Sequence, residues 1–284
     1  MTSSRADPLT LLEWQALHRE ASLVSQLIGA GITALGRASY GSGFGEYYAA
    51  FFGLSVGIER LAKLILVADH ALANNGALPD QKTVRSFGHD LKALIDRADQ
   101  IDKHHNLKLE HEKPQDPICS AVLACLDSFA SASKGRYANF EAIGNPAFDP
   151  AQEPVNKWWA EVVEPILTKH YRGKLREAVV RSRASAINAL MGEHTFVLHT
   201  DERGGAIRDL ESASERTGQT QWAQKYGRYY TLCIVRWLSN IFNELAHEAT
   251  YGKGTDALFG HGEFFDTYTV SDKFLLTRKK WPLT

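Results

Sequence analysis

The chain reads as a mostly α-helical protein with a small β element in its C-terminal half. Three observations predict this. Residues 47–72, YYAAFFGLSVGIERLAKLILVADHAL, form a run that is apolar on almost every side, interrupted by Glu59, Arg60 and Lys63. A helix that hydrophobic must be surrounded by other elements, so it is the central member of a bundle. A second long amphipathic stretch runs from Gln221 to Ala249. Short β-like segments are confined to the region after residue 193.

The elements follow in chain order. Asp7 and Pro8 make a helix start, the acid as cap and the proline in the first turn. Leu12, Ala16, Leu23, Leu27 and Ile28 then recur near helical spacing. Gly41-Ser42-Gly43-Phe44-Gly45 breaks the chain before the central helix; no strand precedes it, which argues against a phosphate-cradling loop. Asn74-Asn75-Gly76 signals a left-handed stop. Asp90 to Ile101 is helical, with Leu91, Leu94, Ile95 and Ala98 on one face, and another helix follows Pro117 through Ile118, Val122, Leu123, Leu126 and Phe129. Three prolines between Gly144 and Pro154 mark a link. It divides a helical bundle over 1–145 from a second helical region with short strands over 155–284, the two either separate or sharing one core.

In the second half a helix opens at Trp158-Trp159 and is expected to run towards Leu190. HTFVLHT (194–200) reads as a strand before a Gly204-Gly205 turn. Arg208–Thr217 reads as a polar, mobile stretch. FFDTYTV (264–270) and KFLLTRKKW (273–281) read as strands, paired with each other or with 194–200.

The bulk numbers exclude some function classes. A formal charge of −1 rules out a uniformly basic nucleic-acid coat but permits a local patch. Three cysteines without a CxxC pair fit reduced, buried thiols in a cytoplasmic protein. The start, MTSSRADPLT, lacks a signal-peptide core, and the charge-free run 21–36 is too short and glycine-rich to span a bilayer, so no membrane partner is expected.

The residues Ser55, Glu59, Arg60 and Lys63 on the central helix, followed by Gly88, His89 and Leu91 at the start of a later helix, resemble the pattern of the HEPN superfamily of helical bundles over about residues 44–140. The resemblance implies an RNA-directed protein of bacterial anti-phage or toxin–antitoxin defence. Such a protein is either a metal-independent endoribonuclease or a non-catalytic scaffold or nucleic-acid-binding module. It also implies a homodimer or a partner protein, and no cofactor. The family's active sequence is an arginine followed by four to six residues and a histidine, with a polar residue after the arginine. Arg136 has no histidine at that distance. Arg97 and His104 satisfy the spacing, although Ala98 is not polar and the pair does not open the last helix. In the implied chemistry the histidine takes the ribose 2′-hydroxyl proton and the arginine stabilises the phosphorane.

Other constellations carry weaker chemistry. Lys169, Arg172, Arg176 and Arg183 share one face of the expected helix, with His170 and Tyr171 nearby. They read equally as a phosphate-binding stripe or as a solvated face. Arg236, Asn240, Asn243 and His247 line one face of the second long helix, a groove lining that Arg236 and His247 would bound. Glu59 and Arg60 with His89 or Asp90 read first as ion pairs that satisfy a nearly buried helix. His104, His105, Glu110, His111 and Glu112 crowd one segment without metal-ligand spacing, so no metal is expected. The Arg97/His104 pair discriminates the two readings. A nuclease needs both residues at one electropositive cleft, whereas a scaffold presents an apolar patch around residues such as Trp158 and Trp159.

Overall fold

The computed structural model describes residues 7–131 and 135–281 and is mostly α-helical. In chain order the helices are α1 (Leu12–Leu35), α2 (Gly45–Ala73), α3 (Gln81–Ser86), α4 (Leu91–His105), α5 (Pro117–Ala130) and α6 (Ala138–Ala142). They continue with α7 (Pro154–Trp158), α8 (Glu164–His170), α9 (Leu175–Met191), α10 (Leu210–His247) and α11 (Asp272–Thr277). Two-residue strands β1 (His199–Thr200) and β2 (Ala206–Ile207) pair antiparallel.

Helix α2 sits in the middle, packed by α1, α4, α5 and α10. Its contact with α1 is close because glycines meet there. A Cβ on Gly53 would lie 2.8 Å from the Leu27 carbonyl oxygen, and one on Gly57 2.7 Å from Ile28. The charged residues of α2 are paired. Glu59 accepts from Lys63 (2.7 Å) and contacts His89 Nδ1 (2.9 Å), and Arg60 reaches Glu20 (2.6 Å). The buried side chains of both halves of the chain form one continuous core, from Ala21 on α1 to Trp281 in the tail.

Helix ends follow local chemistry. Asp90 accepts from the Ala93 amide, Asp116 from Ile118 and Asp209 from Ser212, each an N-cap. The stop of α2 at Asn75 (φ 53°) and Gly76 (φ 90°) is left-handed, as the sequence signals. Asp7 caps a short 3₁₀ turn, Pro8–Thr10, and α1 begins only at Leu12.

Four expectations are corrected. The helix from Trp158 does not continue to Leu190. It widens into a π turn at Trp159–Val163, just ahead of Pro165, whose ring nitrogen cannot donate to the helix, and it ends at His170. Gly173, at φ 68°, then turns the chain before α9. Of HTFVLHT only His199 and Thr200 are paired, and their partner is Ala206–Ile207. Residues 208–217 are not a mobile link, because α10 already begins at Leu210 behind its Asp209 cap. The tail pieces 264–270 and 273–281 are not strands but 3₁₀ turns and α11. Their backbone groups are satisfied within local turns and, at Phe264 and Trp281, by α1 side chains instead of a ladder. Ser25 donates to the Phe264 carbonyl, Tyr268 donates to that of Ser25, and Thr33 both donates to the Trp281 carbonyl and accepts from its amide. Among the described residues no helix is long and apolar enough to cross a membrane.

Candidate nucleic-acid interface

One face of α10 carries Trp222, Tyr226, Tyr229, Tyr230, Cys233 and Arg236, spaced so that successive turns project the same way. Opposite them stand Lys169 and His170 from the end of α8, Asp116 and Cys119 from the start of α5, and His111 and Glu112 from the preceding loop. All of these except Trp222 line an open groove of about 590 Å³.

The groove is organised by stacked rings. His170 lies flat on Tyr226, with centroids 3.6 Å apart and planes 7° from parallel, and its Nε2 is 2.8 Å from the Tyr230 hydroxyl. Tyr226 stacks on Trp222 at 5.8 Å. The Arg176 guanidinium covers the Trp222 ring at 4.2 Å, and the Lys225 ammonium stands 5.6 Å from Trp222 and 5.5 Å from Tyr226. Arg176, Trp222, Tyr226 and His170 therefore form one ladder of flat groups, with cations at its edge.

Titration states follow from burial and neighbours. Burial, and then the positive charges of Lys169 and Lys174, push the His170 imidazole down to about 4, so it is neutral at pH 7. His111 is lowered by burial and by Arg236, and its Nδ1 is buried without a partner. Burial raises the Asp116 carboxyl, but hydrogen bonds from Lys169 and the Ile118 amide outweigh it and hold the group below the usual carboxylate value. The bond to Asp116 raises Lys169 in turn. Cys119 is pushed up to about 12 and Cys233 to about 11, chiefly by burial, so neither thiol is a nucleophile at neutral pH. The rings are half-buried or buried and cover one another's faces, so the groove offers ring edges, ammonium and guanidinium groups, and a neutral imidazole.

The structure brings together some of the residues that the sequence singles out and separates others. Lys169 and Arg236 both line the groove, and Arg176 reaches it through Trp222. Lys169 is engaged by Asp116, and Arg236 by Asp272 (2.8 Å) and the Val270 carbonyl (2.9 Å). The basic residues do not share one helix face, because the turn at 171–174 splits them. Arg172 pairs with Glu164, and Arg183 is exposed on α9 with no ion-pair partner among the described residues. His247 lies elsewhere, 4.8 Å from the Tyr251 ring, in a smaller cavity of about 210 Å³ with Asn243 and Asp266. Arg97 and His104 are both on α4, seven residues and so about 10 Å apart along its axis. Arg97 covers the Phe87 ring at 5.2 Å; His104 is exposed and touches His105, which pairs with Asp69. Neither lines the groove. Trp158 and Trp159 are buried, so they present no patch. No cluster of three or more potential metal ligands occurs among the described residues.

The aromatic set is what sequence reasoning missed. Trp222, Tyr226, Tyr229 and Tyr230 at i, i+4, i+7 and i+8 were a visible signal of one aromatic helix face.

No known family model matches the chain, and neither a curated protein nor a solved structure is similar to it. Fold and site define a mostly helical protein with an aromatic, cation-edged groove at the meeting of α5, α8 and α10.

Proposed function

We propose that the protein is an RNA-directed, HEPN-like protein that binds single-stranded RNA in the α10 groove. The observation that carries this reading is the ladder Arg176–Trp222–Tyr226–His170 beside Lys169 and Lys225. Flat rings stack on unpaired bases, and flexible cations follow the backbone. Binding is favoured over cleavage. Arg97 and His104 are two turns apart, one on a phenyl ring and the other in solvent, without a shared cleft. A role in bacterial defence rests on the resemblance alone.

The test is fluorescence anisotropy with a labelled single-stranded RNA and the matching duplex over a range of salt. Single-strand binding that weakens with salt is expected. Trp222→Ala or Tyr226→Ala should weaken it by about tenfold, the worth of one stacked base. Arg176→Ala should flatten the salt dependence by roughly one phosphate. Equal binding by these variants would sink the groove reading. The same RNA, incubated with protein in excess chelator, is expected to stay intact. Cleavage lost in both Arg97→Ala and His104→Ala would restore the nuclease.

A further inference from the structure

The start of α1 and the chain after α10 border a second cavity, apart from the groove. Trp14 and His18, four residues apart, project from the same side of α1. The Trp14 indole donates to the Phe259 carbonyl (2.8 Å), which ties α1 to the tail. Gly260, left-handed at φ 77°, turns the chain there, and a short 3₁₀ turn, His261–Phe264, follows. Trp14, His18, Phe259, Gly260, Glu263 and Phe264 line an open cavity of about 390 Å³. His18 stacks on Trp14, centroids 4.6 Å apart and planes 21° from parallel, and meets Phe264 edge to face at 5.0 Å. Phe259 is 41% exposed, and no other ring covers it among the described residues.

The composition of the wall selects its ligand. Glu263 is its one acid, and the carboxylate has no hydrogen bond or ion pair among the described residues. No lysine or arginine lines the cavity, so an anion finds no partner. His261, buried beside Trp14, adds no positive charge, because burial and then His18 push it down to about 4. A metal cation needs several oxygen ligands, but the wall offers one carboxylate, and the Phe259 carbonyl is already engaged by Trp14. A purely apolar ligand would desolvate that carboxylate without compensating it. A cation clothed in methyl groups meets every condition: it asks for no acceptor, and both aromatic rings and a carboxylate attract it. The adjoining cavity of about 210 Å³ shares Gly260 and Glu263 with this one and continues to Asn243, His247 and Asp266. Its polar wall suits a hydroxyl or amide, and its second carboxylate disfavours a negative group.

We infer that this cavity binds a trimethylammonium group, its methyls against the aromatic wall and its charge beside Glu263, with an uncharged polar arm reaching towards Asp266. The group belongs to a small molecule such as choline or to a trimethylated lysine, and the chemistry recognised is the same in both. The cavity shares no residue with the α10 groove, so the inference stands whether or not that groove binds RNA.

Ligand-observed NMR titration of the full chain tests this. The probes are choline, its uncharged carbon isostere 3,3-dimethylbutanol, glycine betaine, and a peptide carrying one trimethyllysine. Saturation transfer to the N-methyl protons is expected. Choline should bind about fivefold or more tighter than its isostere, the worth of the cation against the rings. It should also bind more tightly than betaine, whose carboxylate would face Glu263 and Asp266. Phe259→Ala and Glu263→Gln should each weaken choline binding by roughly fivefold. Both positions are exposed, so circular dichroism and the melting temperature should not change. Tighter binding of the peptide than of choline would assign the group to a modified protein tail, and the reverse order to a small molecule. Equal affinity for choline and its isostere, or no transfer to any trimethylammonium probe, would overturn the proposal. Choline binding that both variants leave untouched would overturn it as well.

Discussion

Glu202 has a fully buried side chain, and its carboxylate oxygens are matched partner by partner. It accepts from the Tyr40 amide (3.0 Å), the Tyr47 hydroxyl (3.1 Å) and the Arg216 Nε–H (2.9 Å), while the Arg216 guanidinium lies over the Trp159 ring at 3.6 Å. Tyr47 is held well above its ordinary value by burial and then by Glu202. Removing the cation alone strands a buried carboxylate. Arg216→Met is therefore expected to cost about 3–5 kcal/mol. That corresponds to a fall in Tm of roughly 6–20 °C by calorimetry. Arg216→Met combined with Glu202→Leu should recover part of the loss, and a double variant no better than the single would refute the stranded charge. His261 makes a different prediction. Its ring is buried beside Trp14 and His18, and burial followed by the charge of His18 lowers it to about 4, against the opposing pull of the Ala257 and Trp14 backbone. The unfolded chain binds a proton at this histidine below about pH 6.5, and the folded chain does so only near 4. The unfolded state therefore holds more protons in that window, and stability is lost as pH falls through it. Melting curves at a series of pH values should show a shallower decline for His261→Phe than for the parent. Parallel curves would mean that this histidine does not contribute.

At the scale of elements, the α1–α2 contact depends on what its glycines lack. Gly53→Ala would put a methyl 2.8 Å from a backbone oxygen that cannot move aside, and should destabilise by about 1–3 kcal/mol. Gly45→Ala, at the open start of α2 with nothing within 4 Å, should be neutral or slightly stabilising by urea denaturation. The same comparison shows what was legible in the sequence. The fold class was readable, and so were the stop of α2 and the start of α4, because Asn75-Gly76 and Asp90 act within a few residues; the end of α4, read at Ile101, lies at His105. The tail was misread. Its aromatic and β-branched residues do favour strands, yet backbone groups of Phe264 and Trp281 find partners on the Ser25 and Thr33 hydroxyls, and the Tyr268 hydroxyl on the Ser25 carbonyl, some 240 residues earlier. The π turn before Pro165 was missed because its single extra residue shifts the helical phase too little to show in a segment this short. The groove was half legible. The cations were visible as a stripe, but Lys169 meets Tyr230, and His170 meets Tyr226, only once α8 has packed against α10. The resemblance likewise pointed to Arg97 and His104 by spacing alone, which says nothing about Phe87 covering the arginine.

At the scale of the molecule, the link at 144–154 does not divide the core. α10, from the far half, packs against α1, α2 and α5, and its Leu232, Val235, Trp237, Leu238, Ile241 and Phe242 are buried in the same cluster as Leu54, Ile58, Leu61 and Ile65 of α2. The tail then runs along α1, pinned at Trp14, Ser25 and Thr33. A fragment ending at residue 145 would thus expose the α10-facing side of α2 and the tail-facing side of α1. Both are strongly apolar, and exposing a Leu or Ile side chain that was buried costs about 1.5–3 kcal/mol. Losses at several such side chains exceed the whole stability of an ordinary domain, about 5–15 kcal/mol. The expected outcome is that fragment 1–145 keeps helical circular dichroism but binds a hydrophobic dye and melts without a cooperative transition, whereas the full chain melts once. Adding the 155–284 fragment should restore cooperativity if the two halves reassemble around α2. A sharp melt from 1–145 alone would show that α1, α2, α4 and α5 suffice for a core. α10 would then be an accessory that carries the groove rather than a member of the fold.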